Sequence, residues 1–173
     1  MLLQPCALRL AAAWRADGVL PMGAEYKYYV GKFCFDFKRE PPIDAGLFQV
    51  ELSGHVLAGP NDGPPCFGKC PTQGKFFLFV YDDESEHWQV ARKNWDQLTC
   101  EEMARDASYT ADLSDLDGTK TLAVRVREKI RPRFWYFTFA ACGVTFEQQV
   151  SYQMHMENPL LGLQSEFGID EKG

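Results

Sequence analysis

The side chains with the richest chemistry in this 173-residue chain are six cysteines and three histidines. Cys66-x-x-x-Cys70, together with His55 and His87, would supply four ligands of zinc type. No second C-x-x-C and no H-x-x-x-H follows, however, and the two histidines come from separate segments. A disulfide or a loop thiol is the plainer reading of Cys66 and Cys70, so neither a metal nor a cofactor is expected. Nucleophilic catalysis needs a Cys or Ser beside a positioned base. His155 lies opposite the apolar face of an alternating stretch and reads as a solvated strand histidine. The chain contains neither G-x-S-x-G nor H-E-x-x-H. Asp82, Asp83, Glu84 and Glu86 offer carboxylates of the kind that hydrolyse glycosides. They directly follow an apolar run, read as a solvated turn, and lack EF-hand spacing for Ca2+. Trp88 and Trp95, seven residues apart, fit a sugar-binding platform or equally a lid on the fold, whereas Trp135 sits in a dense apolar segment and reads as core. No catalytic residue is expected, and the chain is read as not an enzyme.

Composition narrows the partners. Lys plus Arg is 18 against 24 Asp plus Glu, a net charge of −6. That opposes a nucleic-acid surface, whose affinity comes from basic residues neutralising phosphates, and a polybasic membrane sensor. A hydrophobic share of 46% with 14% aromatic supplies a core and excludes wholesale disorder. No stretch reaches the ~18–20 consecutive apolar residues of a membrane helix. The length suits one domain.

The elements that must position these residues are mostly strands. Tyr28 to Phe37 sets Phe33, Phe35 and Phe37 against Lys32, Cys34 and Asp36, the period of two of a half-buried strand. Phe48, Val50 and Leu52 alternate likewise, as do Leu122, Val124 and Val126 in 121–127, and Val150, Tyr152, Met154 and Met156. Lys75 to Tyr81 is a continuous apolar run, fit for a strand covered on both faces. Arg133 to Cys142 is the most aromatic segment. Residues 59–72 are rich in Gly and Pro and read as a loop. Thr99-x-x-Glu102 has capping-box spacing and predicts a short helix beyond it, while Trp88 to Leu98 is ambiguous. Asp117-Gly118, between Tyr109–Leu113 and Thr121–Arg127, predicts a hairpin. The fold class is all-β: an antiparallel β-sandwich or jelly roll of about seven strands, with one short helix.

At the N-terminus, 1–16 is mildly apolar and ends in small residues, but Arg9 and Arg15 interrupt it. It is read either as a degraded signal segment or as an amphipathic turn. The sandwich is placed at 24–160 and a polar linker at 161–173. Removing 1–16 leaves five cysteines, hence one odd thiol. A reducing cytosol would keep all six cysteines as buried thiols; an oxidising compartment is favoured because several flank turns, where bridges staple sheets.

Several segments in order resemble the ectodomain of the intimal-thickness-related receptor family, GPCR-like seven-helix membrane proteins. They are KFCFDF at Lys32–Phe37, KCPTQGKFFLFVYDD at Lys69–Asp83, Cys100, VREKIRPRFWYFTFAACG at Val126–Gly143, VSYQMHMENP at Val150–Pro159 and SEFGIDEKG at Ser165–Gly173. The resemblance implies a GOLD-type sandwich on the extracellular or secretory-lumen side, anchored by a seven-helix bundle that would begin where this chain stops. It implies a Cys100–Cys142 bridge and a bridge from Cys34 to Cys70 or Cys66. The loop 59–71, with its extra Cys66, departs from the family as an insertion. The expectation is a non-catalytic recognition domain for a protein or small ligand, acting in signalling or secretory trafficking. Its candidate partner-facing residues are Asp82, Asp83, Glu84, Trp88, Trp95 and the loop 61–70. The alternative is a free-standing carbohydrate-binding or carbohydrate-active sandwich, which requires Trp88 and Trp95 exposed in a groove.

Overall fold

The computed structural model describes residues 13–35, 46–57, 74–83, 87–128, 130–160 and 163–165. Its strands are β1 (Ala13–Val19), β2 (Glu25–Phe35), β3 (Gly46–Leu57), β4 (Lys75–Asp82), β5 (Tyr109–Asp112), β6 (Asp117–Val126), β7 (Arg133–Cys142), β8 (Thr145–Leu160) and β9 (Leu163–Ser165). Two helices, α1 (His87–Lys93) and α2 (Cys100–Asp106), lie between β4 and β5. One sheet has the order β1-β8-β3-β6, with β9 on β8, and the other β2-β7-β4-β5. All pairings are antiparallel. Strand 1 pairs with 8, 2 with 7, 3 with 6 and 4 with 5, the nested order of a jelly roll.

Alternation builds the core between the sheets. Phe48, Val50 and Leu52 of β3, Phe76, Leu78 and Val80 of β4, Phe137 and Phe139 of β7, and Val150, Tyr152, Met154 and Met156 of β8 are each at most 4% exposed. Phe48 meets Phe137, and Phe76 meets Phe146, edge to face with centroids 5.3 Å apart. Such ring contacts add ~0.5–1.5 kcal/mol each beyond area burial. β4 is apolar on both faces because both are covered: sheet β1-β8-β3-β6 lies under one, and the helices cover the other.

The structure revises several sequence expectations. Among the described residues there are nine strands and two helices rather than about seven and one. The sandwich begins before residue 24: Trp14 and Ala16 of β1 pack on the core while Arg15 and Asp17 face out, so β1 runs across the boundary expected at Ala16. β9 falls inside the expected linker 161–173, whose other residues lie outside the described residues. β2 starts at Glu25 and carries a bulge between Tyr29 and Gly31, which reverses the inward parity from Tyr26 and Tyr28 to Phe33 and Phe35. Phe37 and Asp36 lie outside the described residues. The hairpin expected at Asp117-Gly118 does not form. β5 pairs with β4 in one sheet and β6 with β3 in the other. The chain crosses between the layers over buried Leu113 and Leu116, closed by the Leu116 N–H donating to the Leu113 carbonyl at 3.1 Å.

Close backbone approach explains Gly46. A Cβ there would lie 2.5 Å from the Phe35 ring, which is fully buried, and 3.3 Å from the Glu157 carbonyl oxygen. Gly46→Ala is expected to destabilise the fold by ~1–3 kcal/mol, the usual penalty of overpacking. A urea unfolding midpoint unchanged from the parent would contradict this packing.

Candidate functional site

The tryptophans singled out from the sequence belong to a helical lid over the outer face of β2-β7-β4-β5. α2 starts in a capping box: Thr99 Oγ1 accepts from the Glu102 N–H, and the Glu102 carboxylate accepts from the Thr99 N–H at 2.8 Å. These bonds hold the Glu102 carboxyl below its ordinary range, first through the Thr99 backbone. Trp88 of α1 is 8% exposed. It stacks on Tyr136 of β7 at 4.3 Å and on Tyr29 of β2 at 5.3 Å, and also meets Tyr81 and Trp95. The buried Tyr81 hydroxyl donates to the Met103 carbonyl of α2 at 3.3 Å, and burial, followed by the Asp106 charge, pushes its pKa well above the phenol range. The Tyr29 phenol is pushed up to about 12, chiefly by burial. Lys27 of β2 donates to the Trp95 carbonyl at 2.7 Å; burial lowers its pKa, opposed by Asp96 and Glu102. A disulfide joins Cys100, the first residue of α2, to Cys142 at the end of β7. Trp88 is therefore a lid anchor, and Trp95 is half-buried beside it.

Asp82 and Asp83, at the end of β4, are answered by arginines within the fold. Arg131 donates to the Asp83 carboxylate and to its backbone carbonyl, each at 3.1 Å. Arg133 stands 3.9 Å from the Asp82 carboxylate and 3.2 Å from that of Glu128, which is 5% exposed. The Trp135 indole N–H donates to Glu128 at 2.8 Å. Arg133 and Glu128 are thus shielded from solvent with an opposite charge beside each. The sequence reading of Trp135 as core thus becomes a half-buried residue with a polar anchor. Glu84 and Glu86 lie outside the described residues. Cys34 is disulfide-bonded; Cys66 and Cys70, its expected partners, lie outside the described residues. His55 is on β3 of one sheet and His87 on the lid over the other, so they cannot share an ion as the zinc quartet would require. His155 is half-buried, with Nε2 shielded from solvent, rather than freely solvated.

What sequence reading missed is a polar cavity of about 290 Å³ at one end of β1-β8-β3-β6, lined by Ser53, His55, Asp117, Gly118, Gln148 and Ser151 among others. His55 Nδ1 lies 2.9 Å from Asp117 of β6, and Nε2 lies 3.2 Å from Glu147 of β8. The three residues are far apart in sequence, and only strand pairing joins them.

No family model matches the chain, and no curated protein does. Among solved structures, the chain is similar to one from Bacillus endospore appendages, described as disulfide-linked pili, at 9% identity and a TM-score of 0.34, covering 96% of this chain and 99% of that one. It is also similar to a chain of Triatoma virus at 13% identity and 0.35, covering 86% and 70%. A chain of the Triatoma virus empty capsid gives 12% identity and 0.31, covering 83% and 96%.

Two outcomes follow for the lid. Non-reducing peptide mapping is expected to recover the Cys100 and Cys142 peptides linked. Replacing both residues by Ser should cost roughly 4 kcal/mol on the chain-entropy estimate for a loop of this length; finding both thiols free in natively expressed protein would refute the staple. Trp88→Ala should cost ~3–5 kcal/mol, as for other buried Trp truncations. A loss below about 1 kcal/mol in thermal unfolding, roughly a third of that lower bound, would mean that the lid is not anchored there.

Proposed function

We propose that this chain is a non-catalytic recognition domain on the extracellular or secretory-lumen side, the ectodomain of a GPCR-like seven-helix protein of the intimal-thickness-related receptor type. The observation that carries this reading is the Cys100–Cys142 bridge, the pairing that the ordered sequence resemblance implies. A second bridged residue, Cys34, adds to it, because disulfides persist where the surroundings are oxidising. Among the described residues no helix is long and apolar enough to cross a membrane, so in this reading the anchor belongs to a further part of the protein.

The open surface for a partner is the outer face of β1-β8-β3-β6, since the lid covers the other sheet. Strand register lines up Arg15, His155, Gln49 and Ala123 in one row and Asp17, Gln153, Glu51 and Thr121 in the next. Apart from Ala123 these rows are polar and hold no Phe, Tyr or Trp, which suits hydrogen bonding with a protein surface. The carbohydrate alternative loses support, because Trp88, half of its aromatic platform, is buried under the lid.

The deciding experiment is to sequence the transcript past the Gly173 codon. Seven segments of ~20 apolar residues, the length that spans a bilayer, are the expected result. An in-frame stop with no such segments in any transcript would overturn the receptor reading.

A further inference from the structure

We infer that the outer edge of β1 is an interface for a second copy of this chain, joined about a two-fold axis through Ala16. Among the described residues β1 pairs with β8 alone, so its other edge carries no strand. Its inward row, Trp14, Ala16 and Gly18, is half-buried, whereas the inward residues of neighbouring β8, Val150, Tyr152, Met154 and Met156, are at most 4% exposed. An added strand would complete the cover along this flank. An edge offers its unpaired N–H and C=O groups to another chain, and folds usually blunt it with bulges, short strands or charges set in the inward row. The edges formed by β2, β5 and β6 are blunted in these ways. β2 bulges between Tyr29 and Gly31, β5 has four residues, and β6 sets Lys120 in the same row as its inward Leu122 and Val124. β1 carries none of them: its pairing with β8 runs unbroken from Ala13 to Val19, with no proline and no lysine.

The charges of β1 are self-complementary. Laid antiparallel about Ala16, Arg15 faces Asp17 of the second copy, and Asp17 faces its Arg15. Both side chains are exposed on the outer face of the sheet. Trp14 faces Gly18 of the second copy, which has no side chain to obstruct the indole. Facing residues differ by an even number, so their side chains fall on matching faces, and the backbone groups turned away from β8 meet one another. Opposite charges directly across two strands attract and like charges repel, which selects this register. Moving the axis to Asp17 sets Asp17 against Asp17, and moving it to Arg15 sets Arg15 against Arg15. A slip of one residue puts the outward row of one copy beside the inward row of the other. The two-fold axis closes the contact, so the product is a dimer and not a filament. It also extends the outer face of β1-β8-β3-β6 across both copies: the row Arg15, His155, Gln49 and Ala123 continues into Asp17, Gln153, Glu51 and Thr121 of the second copy. The pairing holds with or without a seven-helix anchor.

The test is sedimentation velocity of the intact, oxidised 173-residue chain over a concentration series, alongside Arg15→Asp, Asp17→Arg and the double reversal carrying both. The parent is expected to show a reversible monomer–dimer equilibrium without larger species. Each single reversal should weaken dimerisation by ~10-fold or more, because it replaces two cross-strand attractions by two repulsions. The double reversal restores both opposite-charge pairs and should restore the dimer, a rescue that damage to the fold of either single variant would not produce. Thermal unfolding of each variant checks that it remains folded, and the two single reversals read the same contact from opposite sides should one of them not fold. A parent that stays monomeric at ~1 mM, the weak end of the affinity scale, would overturn the interface. A dimer indifferent to both single reversals, or one that the double reversal fails to restore, would overturn it equally, since the copies would then meet through another surface.

Discussion

The structure depends on one constraint: β4 and β7 are apolar on both faces. From Phe76 to Tyr81 every side chain is buried, and so is every one from Phe137 to Cys142. A sheet with one wet face cannot hold such strands, because half of those side chains would stand in water. The inner halves are covered by β1-β8-β3-β6. The outer halves, which include Phe77, Phe79, Tyr81 and Ala140, are covered by the two helices between β4 and β5. The lid is thus a second core of its own, centred on Trp88.

That constraint explains where the stabilising chemistry is concentrated. Each helix has seven residues, below the length at which an isolated helix persists in water. The lid therefore relies on tertiary anchors: the aromatic contacts of Trp88, the Lys27 and Tyr81 hydrogen bonds, and the covalent link from Cys100 to Cys142. The capping box satisfies the first turn of α2. At the other end of the same sheet, the arginines of 131–133 meet the carboxylates following β4, so the negative charges of Asp82 and Asp83 are largely compensated within the fold. The receptor-type reading proposed above accordingly finds its open surface on the opposite sheet.

Much of the sandwich was legible because a strand's period of two is a local property. The alternation of Phe48, Val50 and Leu52, of Leu122, Val124 and Val126, and of Val150 to Met156 marked their inward faces, and the unbroken run 75–81 marked a strand covered twice. β1 escaped because its inward residues, Trp14 and Ala16, sit in a segment whose small apolar residues imitate the end of a leader. The parity of β2 escaped because a bulge inserts one residue without a sequence signal of its own. The Asp117-Gly118 hairpin signal was genuine turn chemistry: Gly118 has φ +82°, in the left-handed region that glycine tolerates. It accompanies the entry to β6 rather than joining two strands of one sheet.

Sequence by itself determined the all-β class, most strand positions, the inward faces and the capped start of α2, because each of these rests on neighbours within a few residues. Tertiary structure alone decided which strands share a sheet, that Trp88 is an anchor and not a platform, and that Asp83 is answered by Arg131, 48 residues away. It also decided that His55 stands between Asp117 and Glu147. The physical reason is the nested pairing, in which strand 1 meets 8 and strand 3 meets 6. It brings charges and rings together across separations at which no local pattern of residues carries information.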